Sequence, residues 1–189
     1  MEDLSRYIPN VHMGEASTGT QIFIRRIGSE VNYGFEQSVG TFVDGVYFGH
    51  GRSARGQFLD LERVEILKGP QSTLFGKNTI AGAPNITTAQ PTEEFEGYVS
   101  AGYTSEVEAQ TVTAVVSGPL GDAVRGRLAV RSYKDKGYVQ NLAADVEDGH
   151  QKDSVYARAT LAIDINEDWT ATIKAEHGFV DVIGRQALT

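Results

Sequence analysis

Beyond Pro91 the sequence alternates apolar and polar residues with period two almost to its end, and such a chain folds as strands with two unlike faces. Phe95, Val99, Ala101 and Tyr103 share one face, and Glu96, Ser100 and Thr104 the other. Val112, Ala114 and Val116 then oppose Thr111, Thr113 and Ser117, and Val124, Leu128 and Val130 oppose Arg125, Arg127 and Arg131. Val155, Ala157, Ala159, Leu161 and Ile163 oppose Arg158, Thr160 and Asp164. Trp169, Ala171, Ile173 and Ala175 oppose Thr170, Thr172, Lys174 and Glu176. Segments of about ten residues have the length a tilted strand needs to cross a bilayer. The same alternation suits a soluble antiparallel sandwich with one wet face.

Connection lengths favour the membrane. The links 117–122 and 165–168 read as tight turns, whereas 134–153 is long and polar. Short turns on one side and longer loops on the other are the wiring of outer-membrane barrels. In that wiring the 134–153 link lies outside the cell. Tyr103, Tyr133 and Tyr156 near the outer strand ends, and Trp169 near the inner end, then lie in the interfacial girdles. Arg125, Arg127, Arg131 and Arg158 must face a wet interior, because arginine on the lipid face costs about 2–4 kcal/mol at mid-depth. Five strands leave two open edges, and each unpaired backbone group in hydrocarbon costs several kcal/mol. The expectation is an internal piece of a larger barrel.

Composition removes other classes. With 17 Lys and Arg against 25 Asp and Glu, the net charge of -8 argues against nucleic acid as a partner. There is no cysteine, so neither disulfides nor thiolate metal sites are possible. His12, His50, His150 and His177 show no metal-ligand spacing, and no metal or cofactor is expected. No apolar run reaches the length of a transmembrane helix, and Met1 to Arg6 lacks a secretory signal pattern. No nucleophile elbow or phosphate-binding loop occurs, so no catalytic residues are expected.

The first half is different in texture. Leu4 to Ile8 reads as a short amphipathic turn ended by Pro9-Asn10, and Gln21 to Ile27 as a strand with Ile22, Ile24 and Arg26 on one side. Asp44-Gly45 between the apolar runs 39–44 and 46–48 marks a hairpin. Phe58 to Glu65 reads as a short helix turning into a buried strand at Val64, Ile66 and Leu67, which Gly69-Pro70 stops. Gln71 to Phe75 is one helical turn closed by Gly76, and Asn85 to Thr88 a second strand, with Pro84 at an edge or bulge. Asp60, Glu62, Arg63 and Glu65 have the composition of an acid–base cluster, but also of a solvated face with weak ion pairs. Two loops mix aromatic and charged groups, with Tyr33, Phe35 and Glu36 in one and His50, Arg52 and Arg55 in the other; both ligand-contacting and plainly solvated loops look like this.

The run LERVEILKGPQSTLFGKNTIAGA with NITT after it resembles the plug domain of TonB-dependent outer-membrane receptors, in which Glu-Arg-Val-Glu-x-Leu-Lys/Arg-Gly-Pro leads to Leu-Tyr/Phe-Gly and a Gly-Gly-Ala-Ile-Asn-Ile strand. QIFIRRI resembles the Ile-Arg-Gly strand, with Arg26 where glycine is usual, and Ala81 and Pro84 also depart from the pattern. The resemblance implies a mixed α+β plug segment followed by antiparallel transmembrane β-barrel strands: the C-terminal part of a plug over residues 1–91, then the first five barrel strands over 92–189. It implies a Gram-negative outer-membrane receptor, not an enzyme, for energised uptake of a scarce nutrient, with a ferric siderophore the commonest cargo. Its implied partners are outer-membrane lipid, the small-molecule substrate and the TonB energising complex, the last acting through a box segment not visible in this chain. By the same resemblance, plug loop tips carrying Tyr33, Phe35, Glu36, His50, Arg52 and Arg55 meet ligand. Arg63, Lys68, Arg125, Arg127 and Arg131 are then expected to make plug-to-barrel contacts. The alternatives are a soluble or surface β-sandwich that binds a ligand, and a receptor remnant without a transport role.

Overall fold

The computed structural model describes residues 8–16, 19–28, 38–49, 58–137 and 151–183. The chain divides into two compact units, Met1–Ala89 and Gln90–Thr189.

In the first unit, β1 (Val11–Ala16), β2 (Gly19–Ile24) and β3 (Ile27–Gly28) form an antiparallel meander. Val11 pairs with Ile24 and Met13 with Ile22, and these four pack with Val39 and Ala81 into the unit's apolar core. Strand β1 went unforeseen, although Val11 and Met13 alternating with the exposed His12 is its signal. The strand expected to run from Gln21 to Ile27 ends instead at Ile24. Arg25 and Arg26, at φ 53° and 67°, turn the chain into β3, and the Arg25 amide donates to the Asn10 carbonyl at 2.8 Å. Left-handed backbone costs a residue bearing a Cβ about 1 kcal/mol or more, which glycine escapes. Arg26→Gly is therefore expected to stabilise this unit by about 1 kcal/mol in a denaturant titration.

The second sheet has the order β5–β4–β7–β6, built from β4 (Thr41–Val43), β5 (Val46–Phe48), β6 (Leu61–Lys68) and β7 (Gly82–Thr88). Asp44 and Gly45 take φ 48° and 81°, the mirror-image turn that a two-residue hairpin needs. Asp44 also accepts from Thr88, at 2.9 Å from the amide and 2.8 Å from the hydroxyl, which ties the hairpin to the end of β7. Asp44→Ala removes both charge-assisted bonds, and a loss of about 2–3 kcal/mol is expected in the same titration.

Three expectations for this region change. Residues 61–65 are strand, with no helix before them: Asp60 sits at φ 50°, which breaks any helix, and Arg63 to Lys68 pair with β7. Strand β6 is not buried: Val64, Ile66 and Leu67 are only half-buried, and Glu62, Arg63 and Glu65 are exposed. Pro84 lies neither at an edge nor at the bulge, which falls between Leu61 and Arg63. It is fully buried in β7, an interior strand, between the Val39–Gly82 bridge and the Phe42–Asn85 pair. The parallel ladder is interrupted there, so the missing N–H has no bond to lose. The helical turn is as read: α1 (Ser72–Phe75) closes at Gly76, φ 74°, whose amide returns to the Ser72 carbonyl at 3.0 Å.

The second unit is one antiparallel sheet in chain order, β8 (Glu96–Thr104), β9 (Ala109–Gly121), β10 (Val124–Asp135), β11 (Gln151–Asn166) and β12 (Trp169–Ile183). The last four strands have 13, 12, 16 and 15 residues, longer than the alternation alone delimits. Residues 117–121 continue β9, so the turn before β10 is only Asp122-Ala123, and the register shifts where Pro119 faces Arg125. Glu167-Asp168 turns β11 into β12, with the Asp168 amide held by Asn166 Oδ1 at 3.0 Å. Strands β8 and β12 are the sheet's two edges, and the described residues form no closed barrel.

Candidate functional site

The feature with functional meaning is the sheet of the second unit, because its faces are reversed relative to a soluble protein. Along β11 the side chains of one face, Val155, Ala157, Ala159, Leu161, Ile163 and Ile165, are all apolar, and Val155, Leu161 and Ile165 are well exposed. The residues between them include Ser154, Arg158 and Thr160, which are 1%, 3% and 2% exposed. Register extends both faces across the neighbours. Leu161 lies between Gly126 and Ile173, and Ala159 continues the row of Val116, Leu128 and Ala175. On the other face the row through Thr160 carries Glu96, Ser117, Arg127 and Lys174.

An aqueous sheet buries its apolar face. This one covers serine, threonine and arginine and leaves valine, leucine and isoleucine outward, which is stable only if the outward medium is apolar. The outward apolar run from Val155 to Ile165 is about 34 Å long at about 3.4 Å per residue. Tilted by about 40° it stands roughly 25 Å high, the height of the apolar band on an outer-membrane barrel. At the upper end of the band the outward row turns charged, with Lys134 and Asp153 3.5 Å apart and Asp181 beside them in register. In the adjoining turns the Glu108 carboxylate, hydrogen-bonded to Lys136 at 2.6 Å, raises that ammonium above its ordinary pKa.

The inner face solves a charge problem. Arg125 Nη2 binds both oxygens of Asp164, at 2.9 and 3.0 Å, and Asp164 also accepts from Thr170 at 2.7 Å. Arg127 binds Glu96 at 2.7 Å, Arg131 Nε donates to Thr113 Oγ1 at 3.2 Å, and Arg158 Nε donates to Glu176 directly across the ladder. All four arginines lie on the covered face, as the alternation requires. The acidic partners of Arg125, Arg127 and Arg158 were not foreseeable as pairs, since which residues face each other depends on register. The tyrosines divide. Tyr103 is outward and 64% exposed, and Trp169 is outward at the opposite end and 70% exposed, both as girdle residues should be. Tyr133 and Tyr156 instead share the inner face with the arginines. The Tyr156 ring covers Gly178, and Lys152 stands 5.7 Å over the Tyr133 ring. Parity decides this: Tyr133 is two residues from Arg131, and Tyr156 two from Arg158.

In the first unit, Lys68 Nζ donates to the Pro9 carbonyl at 2.8 Å. Arg63 lies 3.6 Å from Glu62 and 3.3 Å from Glu65, and Glu65 also accepts from Asn85. These groups are about half exposed, so the acidic and basic residues of this strand form a solvated ion-pair face. Among the described residues no set of histidine and carboxylate side chains is grouped to hold a metal. Tyr33, Phe35, Glu36, His50, Arg52 and Arg55 lie outside the described residues.

A plug-like α+β unit followed by an antiparallel sheet with a lipid-type outer face defines a class, that of plugged outer-membrane proteins. Residues 1–83 match the family model of the TonB-dependent receptor plug domain. The chain is 29% identical over 188 residues to the ferripyoverdine receptor of Pseudomonas aeruginosa, covering 94% of this chain and 21% of that protein. It is 28% identical over 152 residues to the pesticin receptor of Yersinia pestis, covering 78% and 22%. Among solved structures, the ferric yersiniabactin uptake receptor of Yersinia pestis superimposes with a TM-score of 0.84 at 25% identity, over 95% of this chain and 28% of that one. The pyoverdine outer membrane receptor of Pseudomonas aeruginosa superimposes at 0.72 with 22% identity, a likeness of fold. Residues 1–83 thus belong to the TonB-dependent receptor plug-domain family, and along nearly its whole length the chain is similar to outer-membrane receptors, which are transporters and not enzymes. It spans about a fifth of the length of the curated relatives it matches.

Proposed function

We propose that this chain supplies the later part of the plug (residues 1–91) and the first five transmembrane wall strands (92–189) of a receptor that takes up a ferric siderophore, driven by the TonB complex. The observation that carries the membrane reading is the reversed sheet: exposed valine, leucine and isoleucine backed by covered serine, threonine and arginine. The cargo rests on relatives described as ferripyoverdine and ferric yersiniabactin receptors. In this reading the plug loops bearing Tyr33, Phe35, Glu36, His50, Arg52 and Arg55 meet the ligand. A soluble sandwich is disfavoured, because it would bury the face that is exposed here.

Two neighbouring residues test the wall. Ile173 is outward and 57% exposed, and Thr172 points to the other face and is also exposed. Ile173→Arg is expected to cost about 2–4 kcal/mol of folding free energy in bilayers. Thr172→Arg should cost no more than about 0.5 kcal/mol. Equal tolerance of both would refute a lipid-facing Ile173. The cargo is tested separately, by accumulation of radiolabelled ferric siderophore in cells carrying the gene. Accumulation should vanish without TonB, and uptake of cobalamin in place of iron would replace the substrate while leaving the wall intact.

A further inference from the structure

The segment entering the sheet, Thr92 to Phe95, is bonded to the sheet before its first strand begins. The Thr92 amide donates to Ser117 Oγ at 2.9 Å, the two hydroxyl oxygens are 2.8 Å apart, and Thr92 Oγ1 is 2.9 Å from the Glu94 carbonyl. Each hydroxyl has one proton. All three contacts are satisfied together when Ser117 Oγ accepts from the amide and donates to Thr92 Oγ1, which donates to Glu94. Ser117 is 2% exposed, so water competes little for this relay. Two further contacts follow the same path. Gly118, at φ 156°, has no Cβ where one would stand 2.9 Å from the Phe95 Cα, so the backbone of the segment lies directly on β9. Glu93 approaches Arg125 of β10 at 3.9 Å, a looser pair on an exposed carboxylate.

We propose that Thr92–Phe95 is a strap belonging to the wall, clasped to β9 through Thr92 and Ser117, and that it stays clasped when the first unit loosens. The clasp uses only groups of the second unit, so nothing in it depends on the fold of residues before Gln90. The strap would then set a fixed point at which rearrangement of the plug stops, and the register of β8 would not slip when the plug moves.

Hydrogen exchange of the Thr92 amide in the full-length protein in lipid bilayers tests this. Exchange should be about tenfold slower than in Ser117→Ala, the effect of one lost hydrogen bond. It should remain within about twofold of that slow rate in Gly82→Val, a substitution that disrupts the first unit. Exchange in Gly82→Val as fast as in Ser117→Ala would overturn the proposal. A Thr92→Cys, Ser117→Cys pair serves as a second measurement if Gly82→Val does not assemble. It is expected to oxidise to a disulfide in the membrane-embedded protein, and two maleimide-reactive thiols would overturn the strap.

Discussion

Glu176→Ala should lower the stability of the five-stranded wall by about 3–5 kcal/mol, because it removes the acid facing a guanidinium that folding has taken out of water. Arg158 is 3% exposed and its Nε donates to Glu176 across the β11–β12 ladder. A buried ion pair is itself a weak source of stability, since desolvation offsets most of the attraction. Breaking it from one side is another matter, as the remaining charge keeps its desolvation penalty without its counter-charge. The double variant Arg158→Leu, Glu176→Leu is accordingly expected to be more stable than Glu176→Ala alone. Urea titration of the protein folded into lipid vesicles measures both. A loss below about 1 kcal/mol in Glu176→Ala would mean that Arg158 is solvated or compensated elsewhere.

Gly82→Val is expected to cost the first unit about 4 kcal/mol, combining a strained backbone with a steric clash. Gly82 stands at φ 150°, and a Cβ there would lie 2.3 Å from the Leu67 carbonyl oxygen and 2.7 Å from Ile24 Cδ1. The Ile24 methyl can move, but the Leu67 oxygen is backbone in β6, paired with β7, and cannot move without opening the sheet. The apolar core formed by Val11, Met13, Ile22, Ile24, Val39 and Ala81 lies against this point, so the damage should spread through both sheets of the unit. Limited proteolysis of the membrane-embedded protein reads it as cleavage within residues 58–89. Protection equal to the unsubstituted protein would show that Leu67 yields more readily than a paired strand should.

Much of this is legible in the sequence. The period-two pattern separates Val155, Ala157, Ala159, Leu161 and Ile163 from Arg158 and Thr160, because successive side chains of a strand must point to opposite faces. Asp44-Gly45 announces its hairpin through the backbone angles a two-residue loop demands, and Gly76 closes its helical turn for the same kind of local reason. Where local signals compete, the reading fails. Arg25 and Arg26 carry no turn signature, yet they adopt left-handed angles because pairing β2 with both β1 and β3 is worth more than the strain. Residues 61–65 have helix-compatible composition and become strand because β7 lies beside them. Pro84 reads as an edge or bulge residue and sits inside the sheet, since the β4 ladder is interrupted opposite it.

The sequence by itself determined which side chains share a face, that Asp44-Gly45 and Gly76 are turning points, and that the first part of the chain resembles a TonB-dependent plug, since each depends on residue type and spacing along the chain. Only the tertiary structure decided which acid meets which arginine, that residues 61–65 pair as a strand, and that Pro84 sits inside the sheet. Those depend on register between strands up to dozens of residues apart, and a one-residue slip of register would exchange every such partner.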